Sequence, residues 1–329
     1  MPGLTMPTVA PLDLESHCIA ACWLKDVPHF ALADGVVHSL DNGHKWVELH
    51  DGLLCADTNR DKSHLLTGGE DGRVMLLSPG GSSECLADIG RKWVTSVVGG
   101  PQGAVAFASG RVAYARLSDG TIRELQHTRS VEGLAFAPKG IRLAVARYNG
   151  ATLHFPATEG KPTDLEWAGA HIGVTFSPDG AFVVTTMQEN ALHGWKLSDG
   201  KHMRMTGYPA KVKSFSWSAK GKWLATSGAT AAIVWPFQGR DGPMGKAPLE
   251  LGTRGDTRVT AGCCHARGDV TEFGYAGGRI LVGRCAGTKE VLLRRPGKGS
   301  ITAMDWDSAG RRLAFGSEAG ECGVIDISA

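Results

Sequence analysis

The sequence predicts an all-β fold built from many short antiparallel strands. Gly occurs 45 times in 329 residues, about twice its usual share of roughly 7%, and so many glycines indicate many turns and short elements. A segment with the order strand, turn, strand, turn, strand also recurs at a nearly fixed interval along the chain. Recurrence of this kind is typical of repeat architectures, in which each copy supplies one supersecondary unit.

The repeated segment is clearest at residues 176–195. Phe-Ser-Pro-Asp-Gly at 176–180 predicts a strand end and a turn, 181–185 a second strand, and 191–195 a third. The same frame returns at Phe136 to Gly140, Trp217 to Gly221 and Trp306 to Gly310. A further copy is clearest in its second half, at Thr67 to Leu77, and weaker copies end their first strands near Trp23, Gly99 and Cys264.

These segments resemble the WD-repeat family of β-propellers, in which one repeat forms one four-stranded blade. The positions equivalent to Phe176 are 23, 58, 99, 136, 176, 217, 264 and 306, and their spacings are 35, 41, 37, 40, 41, 47 and 42. The mean of about 40 residues is the length of one blade. The resemblance implies a propeller of four-stranded antiparallel blades covering nearly the whole chain. Eight blades are preferred, and seven is the alternative if the unit around Gly99 or Cys264 is not a blade.

The sequence departs from the family pattern at its most characteristic residues. No third strand ends on Trp-Asp, and Trp195-Lys196, Trp235-Pro236 and Leu40-Asp41 stand there instead. The family's Gly-His before the first strand becomes Gln126-His127 in one unit and Gly207-Tyr208 in another. We therefore expect the family's Asp-His-Ser-Trp hydrogen-bond network to be incomplete in every unit, with the strand count unaffected.

The two ends of the chain carry complementary pieces of one unit. After Trp306 only 23 residues remain, enough for a second and a third strand but not a fourth. The segment 7–15, with its alternating stretch from Thr8 to Leu14, precedes the first unit and could supply the missing outer strand. Because an open strand edge invites aggregation, we predict closure by pairing of this strand with the last blade. Residues 1–329 then form a single domain.

Charge and composition exclude several classes of protein. The formal net charge of +2 is too small for a dedicated nucleic-acid binder, and the start of the chain lacks the basic and apolar regions of a secretion signal. Eight cysteines without such a signal predict reduced, buried thiols in the cytoplasm. We expect a monomer that binds a protein, with no membrane and no nucleic acid as partner.

The motifs of common enzymes and of cofactor binding are missing. The sequence contains no Gly-x-x-x-x-Gly-Lys-Ser/Thr, no His-Glu-x-x-His and no Gly-x-Ser-x-Gly. Carboxylates such as Asp119, Asp179 and Asp199 stand at turns, where Asp is favoured for local reasons. We therefore predict no catalytic residues, no cofactor and no enzyme activity.

Two Cys/His clusters leave a metal site as the alternative function. One is His17-Cys18 with Cys22, and the other is Cys263-Cys264-His265; both are predicted on inner strands. Thiolate and imidazole suit zinc or copper. Adjacent strand residues point to opposite faces, however, so Cys263 and Cys264 cannot easily bind one ion. Burial in the core is the preferred interpretation, and a protein that handles zinc or copper is the alternative.

The resemblance implies that partners bind the face carrying the fourth-to-first and second-to-third strand loops. The cationic and aromatic residues predicted on this face are Arg91, Lys92, Trp93, Arg129, Arg147, Tyr148, Trp167, Tyr208, Lys211, Arg254 and Arg258. The remaining units carry acidic residues there: Glu15, Asp34, Asp51, Glu70, Asp71 and Glu318. Trp, Tyr and Arg are enriched at interface hot spots. The sequence thus predicts a non-enzymatic interaction scaffold whose basic-aromatic arc binds an acidic segment of a partner protein, although solvated loop residues would give the same pattern.

Overall fold

Thirty short strands and one 3₁₀ turn form the regular structure of the residues that can be described. The computed structural model describes residues 11–158, 160–265, 267–285 and 289–328. Antiparallel pairing joins neighbouring strands in all seven sheets of these residues, which confirms the predicted all-β class. In the same residues, no helix is long and apolar enough to cross a membrane. The chain divides into two compact units, and the single domain over 1–329 stays a prediction.

The first unit comprises residues 1–32, 38–45 and 213–329. One of its sheets has the order β1-β30-β29-β28, and the other three follow the chain order of their strands. The strands are β1 (Leu12–Asp13), β2 (Cys18–Leu24), β3 (Val27–Leu32), β4 (Val36–Leu40), β5 (His44–Glu48), β20 (Phe215–Trp217), β21 (Trp223–Thr226), β22 (Ala232–Pro236), β23 (Leu249–Leu251), β24 (Val259–Cys264), β25 (Val270–Tyr275), β26 (Ile280–Arg284), β27 (Glu290–Arg294), β28 (Ile301–Trp306), β29 (Arg312–Ser317) and β30 (Glu321–Asp326). Residues 36–37 of β4 and 46–48 of β5 belong to the second unit.

The second unit comprises residues 33–37 and 46–212. It contains two four-stranded sheets and one six-stranded sheet, each in chain order. The strands are β6 (Leu53–Thr58), β7 (Leu65–Gly69), β8 (Arg73–Leu77), β9 (Ser83–Asp88), β10 (Ser96–Gly99), β11 (Val105–Ser109), β12 (Val112–Arg116), β13 (Ile122–Gln126), β14 (Val131–Phe136), β15 (Leu143–His154), β16 (Thr163–Phe176), β17 (Phe182–Met187), β18 (Ala191–Lys196) and β19 (His202–Met205). The 3₁₀ turn is Pro101–Gly103.

The predicted turn after the first strand of each repeat has one recurring hydrogen bond. The N–H that follows the Phe-equivalent residue donates to the carbonyl five residues further on. The four instances at the clearest repeats are Ala137 to Arg142 at 2.8 Å, Ser177 to Phe182 at 2.9 Å, Ser218 to Trp223 at 2.9 Å and Asp307 to Arg312 at 3.0 Å. The repeated sequence motif therefore encodes a repeated turn geometry, as the spacing predicts.

A β-bulge marks the beginning of the first strand in six repeats. The register shifts between Cys18 and Ala20, and at the equivalent places near Leu53, Val131, His171, Val259 and Ile301. Each bulge begins five residues before a Phe-equivalent position. Because a bulge bends and twists its strand, it ends regular pairing where the fourth-to-first and second-to-third strand loops leave the sheet. These loops are the ones that the sequence predicts to bind a partner.

The number of separate blades differs from the prediction. The strands form seven sheets among the described residues, whereas eight separate blades were expected. The units at Gly99 and Cys264 are both present, so they do not account for the difference. The units ending at Phe136 and Phe176 instead share one six-stranded sheet, because β15 and β16 are long continuous strands. β16 pairs with β15 over its first part and with β17 from His171 onward.

The predicted closure is partly observed. Leu12 pairs with Cys322 and Asp13 with Glu321, so β1 is the outer strand beside β30. The Leu14 N–H also donates to the Gly320 carbonyl at 2.9 Å. The paired part is two residues long, and residues 7–10 of the predicted 7–15 strand lie outside the described residues.

The cores within each unit lie between neighbouring sheets. In the second unit, one cluster joins Leu66 and Val74 of one sheet to Val105, Phe107 and Tyr114 of the next. The rings of Phe107 and Tyr114 stack with their centroids 4.7 Å apart. Inner strands are covered on both faces, as at β17, where all six residues are buried. Because both faces of these strands are buried, their sequences are continuous runs of small and β-branched residues and do not alternate between apolar and polar residues.

Candidate functional site: a basic-aromatic loop surface

The most exposed part of the predicted binding surface is the loop at residues 89–94, here the Trp93 loop. It connects β9 to β10, and backbone hydrogen bonds at both ends hold it against the β7–β8 turn. The Ile89 N–H donates to the Gly72 carbonyl and the Val94 N–H to the Gly69 carbonyl, both at 3.0 Å. Between these anchors Arg91 and Lys92 are exposed, and 56% of Trp93 is accessible to solvent. Trp93 therefore does not pack between sheets.

Gly72 is the residue that lets the Trp93 loop approach this turn. Its φ of +82° is a left-handed conformation, and a Cβ there would lie 1.6 Å from the Gly90 carbonyl oxygen. Gly110 occupies the equivalent turn between β11 and β12 with φ +57°, but a Cβ there would meet nothing within 4 Å. The two glycines share the backbone requirement and differ in the space around them.

We expect Gly72→Ala to lower the free energy of unfolding by about 2–3 kcal/mol, because a positive φ costs an L-residue roughly 1–2 kcal/mol and the backbone overlap adds to it. Gly110→Ala is the matched control, and it should cost only the conformational part. Urea unfolding of both variants measures the difference. Equal losses would show that the Trp93 loop adjusts to the added methyl without cost.

The loop at residues 127–131, here the Arg129 loop, repeats this arrangement in the next sheet. The His127 N–H donates to the Arg111 carbonyl at 2.9 Å and the Val131 N–H to the Gly110 carbonyl at 2.8 Å. Arg129 is exposed at the tip. Its guanidinium carbon lies 6.0 Å from the centroid of the Tyr148 ring, which is itself 50% exposed. A cation and an aromatic face are thus presented together.

Arg147 contacts the backbone of Tyr148 and two neighbouring side chains, and its role in binding stays a prediction. Its Nε donates to Thr152 Oγ1 at 2.8 Å, and its Nη2 forms an ion pair with Asp164 at 2.8 Å. Its Nη1 donates to the Tyr148 carbonyl at 3.1 Å. The hydrogen bond from the Thr152 hydroxyl, with help from the Arg147 guanidinium, lowers the pKa of Asp164. The Asp164 carboxylate therefore stays ionised and keeps its ion pair with Arg147.

The other predicted residues of the second unit differ in accessibility. Lys211 is exposed, between β19 and β20. Trp167 is half-buried and stacks on His193 with ring centroids 4.1 Å apart. Tyr208 is buried, with 7% of its surface exposed, and its place on the contact surface stays a prediction.

Two predicted residues, Arg254 and Arg258, belong to the first unit and lie between β23 and β24. Both are exposed. Arg254 forms an ion pair with Glu290 at 2.7 Å and donates to the Thr253 carbonyl at 2.8 Å. An exposed pair of this kind contributes little to stability. The ion pair with Glu290 leaves the Arg254 guanidinium at the surface.

Of the acidic residues predicted on the equivalent loops, Asp71 has an internal role that the sequence reasoning missed. His50 is buried, with Nδ1 3.0 Å from Asp71 Oδ1 and Nε2 2.8 Å from Thr67 Oγ1. Arg73 also pairs with Asp71 at 2.7 Å. This arrangement resembles the Asp-His-Ser network of the family with Thr in place of Ser. The placement of a His, a Thr and an Asp around one strand was the sequence signal that could have predicted this network.

The remaining acidic residues predicted on these loops are exposed: Glu15, Asp34, Asp51, Glu70 and Glu318.

The sequence analysis also did not single out Trp46 as an exposed aromatic residue. Among the described residues it is the most exposed large hydrophobic side chain, at 63%. It lies on β5, in the sequence His-Lys-Trp-Val-Glu, whose residues are mostly exposed. The predominance of polar neighbours was the available signal.

The thiols that suggested a metal site are distributed through the core. Cys264 packs with Phe273 and Cys285, whereas Cys263 packs with Ile301 and Trp306 in a different cluster. The two side chains therefore lie on opposite faces of β24, as predicted. Burial raises the pKa of Cys264 to about 12, which disfavours the thiolate that binds metals. No group of three or more His, Cys, Asp or Glu side chains within the described ranges is placed to hold a metal ion.

Comparisons with known proteins bear on the fold. No family model and no curated protein matches the chain. Among solved structures, the computationally designed Ika8 protein is 17% identical with a TM-score of 0.76, over 95% of this chain and 97% of that chain. The C-terminal WD40 domain of Sif2 is 13% identical with a TM-score of 0.77, over 99% and 100%. A chain of the mitotic checkpoint complex is 14% identical with a TM-score of 0.67, over 100% and 98%.

The chain has the fold of WD40 β-propellers. The likeness extends over its whole length, so the resemblance drawn from the repeated turn motif is confirmed at the level of the fold. Propellers of this kind serve many functions, and a fold by itself does not select one of them. The function must be argued from the loops.

Proposed function

We propose that this protein is a non-enzymatic interaction module that binds an acidic segment of a partner protein through the Trp93 loop and the Arg129 loop. The observation that carries the proposal is the exposure of two large aromatic side chains, Trp93 and Tyr148, beside the cationic residues of the Trp93 loop and the Arg129 loop. Exposed aromatic and Arg side chains are the residue types that dominate interface energetics.

The chemistry of the loops favours a carboxylate-bearing partner. An Arg guanidinium can bind a carboxylate through two parallel hydrogen bonds, and Arg91 and Arg129 are both exposed for this purpose. Trp93 and Tyr148 offer apolar area on which the partner's aliphatic or aromatic side chains can pack. Lys92 and Lys211 add positive charge within the same unit and would speed the encounter with an acidic surface, and Arg254 and Arg258 stand on an equivalent loop of the first unit.

Rigid presentation strengthens the proposal. Each of the two loops is held at both ends by backbone hydrogen bonds. The backbone at Tyr148 is held by a hydrogen bond from the Arg147 guanidinium to its carbonyl. A surface that is already ordered loses less conformational entropy when a partner binds. Loops on a stable β scaffold are a common place for binding residues for the same reason. We expect a monomer in the cytoplasm to expose this surface.

The test compares the parent with the double variant Trp93→Ala, Arg129→Ala. Partners are captured from native lysate on the immobilised parent and identified by mass spectrometry, and the affinity of a recovered partner is then measured for each variant. We expect at least tenfold weaker binding by the double variant, because truncating an interface Trp or Arg costs about 2 kcal/mol or more. The melting temperature should stay close to that of the parent, since both side chains are exposed.

Arg240→Ala is the control. Arg240 is exposed in the β22–β23 loop, a third-to-fourth strand loop and thus not of the kind proposed to bind, and its loss should change affinity little. Equal affinity of parent and double variant for every recovered partner would refute the proposal. A partner whose binding falls with Arg240→Ala instead would move the interface to the other set of loops.

A further inference from the structure

Two cysteine thiols meet where the N-terminal and C-terminal segments of the described chain pair. Cys18 begins β2, directly after β1, and Cys322 lies on β30 opposite Leu12 of β1. Both side chains have 0% exposure and belong to one core cluster with Trp23, Phe30 and Ala314. The sequence places these residues 304 positions apart, and strand pairing brings them together.

The space over Gly316 fixes how close the two sulfurs are. A Cβ on Gly316 would lie 2.1 Å from the Cys18 Sγ and 3.3 Å from the Cys322 Sγ. The sulfurs are therefore at most 5.4 Å apart, the sum of these two distances. Gly316 pairs with Cys322 in the ladder, and the absence of its side chain leaves the room in which both thiols sit.

We propose that Cys18 and Cys322 form a disulfide under oxidising conditions and that this bond locks the closing strand pair covalently. The bond would join the segment that follows β1 to the strand that β1 covers. The sulfurs, at most 5.4 Å apart, must approach to about 2 Å, and the Cβ atoms of a disulfide are on average about 3.8 Å apart.

The pairing of β1 with β30 would control the oxidation of the two thiols. The hydrogen bond with Cys322 and complete burial raise the pKa of Cys18 well above its usual range, so the thiol is protonated and unreactive while the strands are paired. The described part of β1 that covers Cys322 is two residues long, and short terminal strands open locally at low free-energy cost. Opening would expose Cys322 and release Cys18 from its low-dielectric surroundings.

The chemistry requires a small disulfide such as oxidised glutathione. The Cys322 thiolate attacks one sulfur of this oxidant, forms a mixed disulfide and releases one reduced thiol. The Cys18 thiolate then attacks the Cys322 sulfur, the protein disulfide forms, and the second reduced thiol leaves. Two protein thiols are oxidised, one small disulfide is reduced to two thiols, and the two protons pass to the leaving thiolates.

The test uses the full chain, with oxidised glutathione as the oxidant. After oxidation and alkylation, trypsin releases residues 1–25, which contain Cys18 and Cys22, and residues 313–329, which contain Cys322. We expect these two peptides to be linked, at a mass two hydrogens below their sum. Unfolded oxidised protein should show six free thiols instead of the eight of the reduced chain. The melting temperature should rise by about 5 °C and return to its starting value with dithiothreitol.

Single variants assign the link. Cys22→Ala should keep the linked peptide and the rise in melting temperature, whereas Cys18→Ala and Cys322→Ala should each abolish both. Cys285→Ala, which removes a buried thiol elsewhere in the first unit, is the control for loss of a core sulfur. A link that persists in Cys18→Ala, or an oxidised parent with eight free thiols, would overturn the proposal. Oxidation without any change in melting temperature would show that the bond does not lock the closing strands.

Discussion

Deletion of residues 1–15 is expected to lower the melting temperature by about 5 °C or more, or to cause aggregation. Without β1, the outer edge of β30 loses its partner strand, so the Cys322 and Glu321 positions lose their pairing with Leu12 and Asp13. The hydrogen bond from Leu14 to Gly320 and the 2.6 Å ion pair between Lys298 and Asp13 are lost as well. An unpaired strand edge offers its backbone groups to other chains.

A shorter deletion distinguishes the loss of the closing strand β1 from the loss of N-terminal residues in general. Removing residues 1–10 leaves β1 and all the contacts just described in place, and it should keep the melting temperature within about 1–2 °C of the parent. Light scattering and thermal unfolding of the two truncations, measured together, test the difference. If the 1–15 deletion is as soluble and stable as the parent, the N-terminal segment is a tail and not a closing strand.

Glu272→Gln is expected to remove a large pH-dependent loss of stability. Glu272 lies on β25 with 0% exposure. Its Oε2 accepts a hydrogen bond from the Trp306 indole N–H at 2.7 Å, while its Oε1 is buried without a hydrogen-bond partner. Burial raises the pKa of this carboxyl from 4.5 to about 8. The folded protein therefore holds the proton at pH values where the unfolded chain releases it.

The sign of the effect follows from this difference. Below about pH 4.5 both states are protonated and the carboxyl imposes no penalty. As the pH rises toward 8, the folded state becomes less stable by up to about 1.4 kcal/mol per pH unit, and above pH 8 the full penalty, about 5 kcal/mol, is reached. Gln resembles the protonated acid and can still accept the indole hydrogen bond. The variant should therefore match the parent near pH 4.5 and exceed its stability at pH 8.5.

Urea denaturation of parent and variant at a series of pH values from 4.5 to 8.5 measures this effect as the difference between two curves. Glu84→Gln removes an exposed carboxyl and controls for the change in net charge. Parallel curves for the parent and Glu272→Gln would show that Glu272 ionises in the folded state as readily as in the unfolded chain, and the buried hydrogen-bonding environment would then need another explanation.

The sequence alone was sufficient for the repeat and its turns. Phe176 to Gly180 and its copies predict a strand end followed by a tight turn, and the same hydrogen bond is found at each of the four clearest copies. This prediction succeeds because a turn depends on a few consecutive residues whose conformational preferences are local. The pairing of the two termini was also predictable, since a missing strand at one end and a surplus segment at the other can be counted.

Which side chains are accessible, and which pair with distant partners, was decided by the tertiary structure. Trp93 and Tyr208 stand on loops of the same type, yet one is exposed and the other buried. Arg147 and Arg129 look alike in sequence, but only Arg147 is held by Thr152 and Asp164. The contact of Cys18 with Cys322 and the burial of Glu272 beside Trp306 depend on residues far apart in the chain. Their positions are set by the packing of one strand on another, which no local pattern records.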